Sequence, residues 1–595
     1  MKNLRALLPY LRPYRGAVAV GLVLVLVSTA LMLWTPDLIG KGIDALGRPG
    51  ATGRTVAVYA GLSVLATVLG GIARYYMREI LNGTSRRVET DLRTDYFRHL
   101  LRLDAPFYGR TPTGEIISLA TNDLGAVRMV AGPAIMYGVN MVVTALFAVT
   151  LMVWISPRMT LLALLPMLAL PVVTLGFSGV IHERFERIQS EFGILSSLVQ
   201  ENLAGARIVK AYAQEDAQAE RFRGLSERYM QRNLELVRAS GLFQPLLGLF
   251  GGAATVVVLL VGGRAILRGS ITVGEFVEFT LYLGMLSWPM ISLGWVINLF
   301  QRGAASMGRV TRVLHAQPSV REPEHPAWPE RVRGEIEFRG VSFRYPGTER
   351  LVLRDVSFHV PAGSTLAVVG PTGSGKSTLT ALLARLYDPT EGEVLIDGVP
   401  VRRWPLDRLR AALGVVPQDA FLFSATLREN LALGFDEPDP ARQEERIRAA
   451  ARVARLDDTV EGFPRGYDTL LGERGINLSG GQKQRATLAR ALARDPEVLV
   501  LDDALSAVDT HTETEILEGL REVLRGRTSV IVSHRVTAVM NADLIVVLDG
   551  GEVAEVGTHA ELLRAGGTYA ALQRRQLLAE DLDGDPVLAP SQWGV

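Results

Sequence analysis

The first half of the chain consists of long apolar runs separated by charged segments. Gly16 to Pro36 contains no charged residue, and five more charge-free runs follow before Arg302. About 20 apolar residues are enough to cross the hydrocarbon core of a bilayer as a helix, and soluble proteins do not bury many such helices in succession. The pattern therefore predicts six transmembrane helices, at about residues 16–36, 55–73, 133–157, 159–182, 241–263 and 279–301.

The basic residues near the N-terminus predict the orientation of the spans. The first run could instead belong to a secretory signal, but the apolar segment of a signal peptide has only about 7 to 15 residues, so we interpret the run as a retained span. Basic residues before a first span favour a cytoplasmic N-terminus, and an even number of spans returns the C-terminus to the same side. We expect a multi-pass protein of the cell inner (plasma) membrane, with both termini and the soluble domain in the cytoplasm. The basic residues are Lys2, Arg5, Arg12 and Arg15.

The connections between the predicted spans differ in length. Residues 74–128 and 183–238 form two long, charged connections that are rich in helix-forming residues. Helices should therefore continue beyond the bilayer and turn on the cytoplasmic side. The spans contain almost no ionisable residue, which argues against an ion or proton relay. A cavity without fixed charges suits an amphipathic or lipophilic substrate such as a drug, lipid or peptide, although backbone groups or a partner chain can also line a polar cavity.

The second half of the chain has a different pattern. Three prolines between Ser319 and Arg331 cannot continue a helix, so residues 319–333 are predicted to be a Pro-rich linker. Beyond it, short β-rich apolar runs alternate with helical stretches, which is typical of an α/β domain with a largely parallel sheet. These runs are Thr365 to Val369, Leu413 to Val416, Val498 to Leu501 and Ser529 to Val532. The predicted fold is an all-α membrane domain fused to an α/β domain, with boundaries at residues 1–318 and 334–576 and a tail at 577–595.

A phosphate-binding motif follows the first of these strands. Residues 370–377 read GlyProThrGlySerGlyLysSer and precede a helical stretch, which is the context that a P-loop requires. The glycines let backbone amides surround a phosphate, Lys376 neutralises its charge, and the Ser377 hydroxyl binds Mg²⁺. Asp502 ends a predicted strand and is the expected second Mg²⁺ ligand. We predict a nucleoside triphosphate and Mg²⁺ as ligands, with nucleotide contacts from Gly370, Pro371, Thr372, Gly373, Ser374, Gly375, Lys376, Ser377 and Thr378.

Composition removes several classes of function. The 595 residues include 63 Lys+Arg and 62 Asp+Glu, a net charge of +1, so no basic excess indicates a nucleic-acid partner. The chain has no Cys, which excludes disulfides and thiolate metal sites. The expected partners are a lipid bilayer and a small-molecule, lipid or peptide substrate.

A second motif adds a resemblance to a known family. Residues 478–482 read LeuSerGlyGlyGln, followed by LysGlnArg, between the P-loop and Asp502. Together with six spans, this signature resembles a half-transporter of the ATP-binding cassette (ABC) exporters, of the type IV or multidrug-exporter-like kind, over nearly the whole chain. The resemblance implies an ABC transporter ATPase, an ATP-binding cassette fold and coupling helices near residues 110–118 and 204–213.

The resemblance also assigns roles to single residues. It implies that Tyr345 stacks on adenine, that Gln418 senses Mg²⁺ and the attacking water, and that His534 contacts the γ-phosphate. It further implies that the signature of one subunit, at a helix N-terminus, closes over ATP held by another subunit, so the functional unit is a dimer. The signature residues in question are Ser479, Gly480, Gly481 and Gln482.

One residue departs from the family pattern. Hydrolytic subunits place Glu after the Walker B Asp, whereas this chain has Asp503, which is shorter by one methylene. Because a displacement of about 1 Å can slow catalysis about 100-fold, Asp503 should be a poor catalytic base. We hypothesise that the chain resembles the degenerate-site subunit of a bacterial heterodimeric exporter, whose non-identical partner has the Glu. A slow homodimeric exporter, or a nucleotide-gated channel or regulator on the same scaffold, remains an alternative. The family's switch histidine, His534, is retained, so only one catalytic element departs from the pattern.

Overall fold

The structure is a computed structural model that describes residues 2–48 and 52–584. It divides into two compact units. The first contains the chain up to Arg102 together with Thr113–Ala316, and the second contains Leu103–Pro112 and the chain from Gln317 onward. Most of the predicted C-terminal tail therefore lies outside the described residues.

The first unit is built from long helices. Six helices in the described part of the chain are long and apolar enough to cross a membrane, which confirms the predicted fold class for this half. These helices are α1 (Asn3–Leu46), α2 (Gly53–Leu100), α3 (Thr113–Ile155), α4 (Pro157–Ala204), α5 (Glu215–Leu267) and α6 (Val273–Leu314). Each has at least 42 residues, about twice the length that a bilayer requires, and in α2, α4 and α5 the additional length is the charged part of the helix.

Short helices form the turns of the two long connections. Ala206–Ala211 lies within residues 204–213 and Thr113–Ser118 lies within residues 110–118, the two segments where coupling helices are predicted. A further short helix, Ala105–Arg110, lies just before the first of these segments. Asp104 caps it by accepting a hydrogen bond from the Phe107 amide, and Pro106 lies in its first turn.

Most of the second unit's central sheet is parallel, as the sequence predicted. Its strands are β3 (Thr365–Val369), β6 (Leu413–Val416), β7 (Val498–Asp502), β8 (Thr528–Val532), β9 (Leu544–Asp549) and β10 (Glu552–Gly557). They follow the order β10-β9-β3-β8-β7-β6, and in this sheet only the β9–β10 pair is antiparallel.

Both faces of this sheet are buried, which explains its continuous apolar runs. In β3, Ala367 and Val369 belong to one apolar cluster, whereas Leu366 and Val368 belong to another. Helices cover the sheet, and the P-loop helix Lys376–Leu383 directly follows the P-loop. Apart from Ala105–Arg110, the other α-helices of this unit in the described residues are Leu406–Ala412, Leu427–Ala432, Pro440–Val453, Asp457–Glu461, Gly480–Ala493, Thr510–Leu524, Val536–Val539, His559–Ala565 and Thr568–Gly584.

A second, antiparallel sheet was not predicted. It has the order β2-β1-β4-β5, with strands β1 (Ile336–Phe343), β2 (Leu353–Val360), β4 (Glu391–Ile396) and β5 (Val399–Pro400). Exposed and buried residues alternate along β2, so the strand shows no continuous apolar run. A pattern of continuous apolar runs therefore does not predict this sheet.

Candidate nucleotide-binding site

The P-loop joins β3 to its helix through a tightly packed backbone. Gly370 and Gly375 have φ angles of 152° and 101°, which L side chains rarely adopt. A Cβ on Gly370 would lie 2.1 Å from the carbonyl oxygen of Leu548, and one on Gly375 would lie 2.6 Å from Leu353 Cδ2. A side chain at either position would displace the loop, so the shape of the loop depends on these two glycines.

Lys376 lies folded back over the P-loop. Its Nζ donates hydrogen bonds to the carbonyls of Gly370 and Pro371, both at 2.9 Å, and the residue is only 6% exposed. Burial lowers the pKa of Lys376, while the carboxylates of Asp503 and Asp502 act in the opposite direction. A phosphate in the loop would give this buried cation a partner of opposite charge.

The predicted Mg²⁺ ligands are in contact with each other. Ser377 Oγ and Thr380 Oγ1 donate hydrogen bonds to the two oxygens of Asp502, each at 3.1 Å. Asp502 is 6% exposed, and burial raises its pKa against the effect of these hydrogen bonds. The described residues contain no group of three or more His, Cys, Asp or Glu side chains that could hold a metal ion. The hydroxyl and the single carboxylate fit Mg²⁺, which keeps waters and phosphates as its remaining ligands.

The interior of the P-loop has an unsatisfied polar group. Ser374 is 3% exposed, and within the part of the chain that the structure describes its Oγ has no hydrogen-bond partner. Buried hydroxyls normally have a partner, and a phosphate oxygen would supply one here. The loop therefore fits the phosphates of ATP by its shape, its buried cation and its free hydroxyl.

Residues from three strand ends meet the P-loop in one cleft. Gln418 follows β6, Asp503 follows β7 and His534 follows β8, and in a parallel sheet these carboxyl ends lie along one edge. The cleft has a volume of about 190 Å³. The structure thus brings together most of the predicted site residues, namely Thr372, Gly373, Gly375, Lys376, Ser377, Thr378, Gln418, Asp502, Asp503 and His534.

Tyr345 lies beside the P-loop helix and is not among the residues that line the cleft. Its hydroxyl is 3.0 Å from Thr378 Oγ1. Its ring packs edge-on against Phe343 and Tyr387, with centroid distances of 5.0 and 5.3 Å. The ring is therefore held in one orientation next to the P-loop, where the resemblance expects an adenine base.

The signature residues lie away from this cleft. Ser479 is the N-cap of the helix Gly480–Ala493: its Oγ accepts a hydrogen bond from the Gln482 amide at 3.3 Å, and Gln482 Oε1 accepts one from the Ser479 amide at 2.9 Å. This capping box confirms that the signature begins a helix. Ser479 and Gly480 are exposed, and no residue from Ser479 to Gln482 lines the P-loop cleft of the same chain.

The backbone of Asp503 is held on both sides. Its φ is 49°, in the left-handed region that Asp adopts more readily than most residues. Its N–H donates to the Val532 carbonyl at 2.9 Å, and its carbonyl accepts from the Ser506 hydroxyl at 3.0 Å. The backbone is therefore not free to move forward and replace the methylene that Asp lacks relative to Glu.

Sequence reasoning missed Gln484. Its Nε2 donates to Ser506 Oγ at 2.9 Å, and its Oε1 accepts from the Ala507 amide at 2.8 Å. Gln484 thereby connects the signature helix to the segment that follows Asp503. The available signal was a polar residue on the buried face of the helix, where Thr487 is also buried, and such a residue by itself predicts no particular partner.

Two family patterns match the sequence. The family described as "ABC transporter transmembrane region" matches residues 18–290, and the family described as "ABC transporter" matches residues 353–506.

Proteins from several bacteria are similar to the chain over its whole length. It is 38% identical over 573 residues to the "Probable multidrug resistance ABC transporter ATP-binding/permease protein YheI" of Bacillus subtilis, covering 96% of this chain and 97% of that protein. It is 35% identical over 586 residues to the ATP-dependent lipid A-core flippase of Aromatoleum aromaticum, covering 96% of each. A solved bacterial Atm1-family ABC exporter with ATP bound has a TM-score of 0.79 at 30% identity, covering 94% of this chain and 99% of that one.

Proposed function

The chain belongs to the ABC transporter family, and it has both the membrane region and the ATP-binding domain of the exporters in that family. We propose that it is one half of a heterodimeric exporter and that it contributes the slower of the two ATP sites. The chain is an ABC transporter ATPase of the exporter kind, and its relatives support ATP-driven export as its activity. The observation that carries the proposal is Asp503, which stands in an otherwise complete site where hydrolytic subunits have Glu.

Each residue of the cleft has a defined task in this proposal. The P-loop amides and Lys376 hold the β- and γ-phosphates of ATP, and Ser377 and Asp502 hold the Mg²⁺ that neutralises charge on the phosphate oxygens. Gln418 orients the attacking water and His534 donates to the γ-phosphate. Asp503 accepts a proton from the water, at a slow rate because its carboxylate lies one methylene short of the position that Glu reaches.

The position of the signature supports a dimer. Ser479 and Gly480 are exposed at a helix N-terminus, which suits a phosphate anion, and they lie outside the cleft of their own chain. In our proposal they complete the ATP site of a partner chain that has Glu after its Walker B Asp. The intact signature would then serve the fast site, while the P-loop of this chain serves the slow one.

The proposed cargo is an amphipathic or lipophilic molecule, such as a drug, a lipid or a peptide. Its support is the scarcity of ionisable residues in the apolar runs of α1 to α6 and the relatives described as a multidrug resistance transporter and a lipid A-core flippase. Export proceeds by alternating access in the inner (plasma) membrane, with both termini and the cassette in the cytoplasm.

Native mass spectrometry tests the heterodimer directly. The tagged chain is purified from its own membrane, and the subunit masses of the intact complex are determined. We expect a complex with one different cassette chain that carries Glu after its Walker B Asp. A complex of two identical chains would overturn the heterodimer and leave Asp503 as the carboxylate of both ATP sites.

A further inference from the structure

A single glutamine holds the loop that carries His534. The loop follows β8, and the helix Thr568–Gly584 packs behind it through Gln576. Gln576 Nε2 donates a hydrogen bond to the carbonyl of His534, and Gln576 Oε1 accepts one from the Val536 amide at 2.7 Å. One side-chain amide therefore binds the backbone on both sides of the intervening residue.

Arg535, which lies between His534 and Val536, is held in place as well. The Arg535 side chain forms an ion pair with Glu513, which is only 5% exposed. The Arg535 amide donates to Ser533 Oγ at 3.0 Å. Gln576 binds the backbone of His534 and Val536, and Ser533 binds the backbone of Arg535. The segment that carries His534 is therefore hydrogen-bonded at three successive residues.

The helix that carries Gln576 is anchored at its beginning. Tyr569 is fully buried, and its hydroxyl lies 2.7 Å from His559 Nδ1. Glu555 of β10 accepts hydrogen bonds from the amides of Thr568 and Tyr569, where the helix starts. Gln576 lies about two helical turns after Tyr569 on the same face, so the anchor also fixes the side-chain amide.

We propose that Gln576 is a positioning residue for ATP hydrolysis, which holds the His534 backbone so that the imidazole reaches the P-loop cleft. This inference rests on the role of His534 at the γ-phosphate, as given under the proposed function. His534 is exposed, and the imidazole itself therefore has little packing to orient it. Because catalytic geometry tolerates only about 1 Å of error, losing the restraint on this backbone should lower the rate of hydrolysis about 10-fold.

A set of variants distinguishes the positioning of His534 by Gln576 from a general contribution of Gln576 to stability. Gln576→Glu keeps the size and the acceptor towards Val536, but it removes the donor towards the His534 carbonyl. Gln573→Ala is the matched control, because Gln573 lies one turn earlier in the same helix and makes no hydrogen bond to the loop in the described part of the chain. His534→Ala and the double variant with Gln576→Glu complete a double-mutant cycle.

The assay reports on this chain alone, whatever its partner. Every variant also carries Asp503→Glu, which should raise the rate of hydrolysis enough to measure. The assembled transporter is loaded with 8-azido-ATP that is labelled on either the α- or the γ-phosphate, and it is cross-linked after increasing times. Loss of γ-label relative to α-label on this chain gives the hydrolysis rate. The nucleotide concentration for half-maximal labelling gives the affinity.

We expect Gln576→Glu to slow hydrolysis about 10-fold with unchanged affinity and melting temperature, and to add no further loss to His534→Ala. The Gln573→Ala control should match the parent. The inference alone is overturned if His534→Ala slows hydrolysis and Gln576→Glu does not, if the two losses multiply, or if affinity and melting temperature fall together with the rate. An unaltered rate in His534→Ala would instead remove the proposed role of His534, and the positioning role with it.

Discussion

Replacing Asp503 with Glu extends the carboxylate that we propose as the catalytic base by one methylene, at a fixed backbone position. The Asp503 amide is bound to the Val532 carbonyl at 2.9 Å, and its carbonyl is bound to the Ser506 hydroxyl at 3.0 Å. These contacts involve only the backbone of residue 503, so the substitution leaves them in place. The carboxylate is then the one feature of the cleft that moves.

The expected gain follows from the size of this displacement. If a shift of about 1 Å costs about 100-fold, restoring the methylene should speed hydrolysis at this chain's site by about 100-fold, or about 2.7 kcal/mol of transition-state stabilisation. The backbone φ of 49° suits Glu less well than Asp, so the same change should lower the free energy of unfolding by up to about 1 kcal/mol. Activity and stability are thus expected to change in opposite directions.

The chain-specific loss of γ-label is the appropriate measurement, because total ATP turnover also includes the partner's site. If the partner already turns over at full rate, total turnover should rise no more than about twofold. Asp503→Asn is the control, since it keeps the shape and removes the base, and it should fall below the wild-type rate. A wild-type rate of label loss in both variants would refute the reasoning, because Asp503 would then not act on the attacking water.

Three further predictions concern the loop, the signature and the cassette core. Gly370→Ala places a Cβ 2.1 Å from a carbonyl oxygen of β9, so it should cost about 2 kcal/mol or more of unfolding free energy and abolish azido-ATP labelling of this chain. Ser479→Ala removes a helix cap worth about 1 kcal/mol and should slow turnover on the partner chain, while labelling of this chain by azido-ATP stays unchanged. Arg385 is buried and bonds to Asp388 at 3.1 Å and to two backbone carbonyls, so Arg385→Ala should cost about 3 kcal/mol in denaturant unfolding. The exposed Arg402, which contacts the same carboxylate at 3.7 Å, provides the control, and Arg402→Ala should cost less than about 1 kcal/mol. Equal losses for the two arginine variants would contradict the argument from burial.

The sequence alone predicted the features whose signal is local. Six charge-free runs correspond to six long apolar helices, because membrane-crossing length and composition are properties of a continuous segment. The P-loop and the strand before it were also predicted, since the glycines, Lys376 and Ser377 all lie within one short stretch. The parallel sheet followed from continuous apolar runs, because burial on both faces leaves no alternation to obscure them.

The tertiary structure alone decided which distant residues meet. Gln484 and Gln576 each bind backbone or side-chain groups that lie far away in the sequence, and neither residue belongs to a motif that predicts a partner. The backbone of Asp503 is hydrogen-bonded to Val532 of β8 and to the Ser506 side chain. The sequence shows that Asp503 is one methylene shorter than Glu, but it does not show that these contacts keep the backbone from moving to make up the difference. A residue type determines which hydrogen bonds a side chain is able to make, and only the packing of helices and strands determines which partner lies within reach.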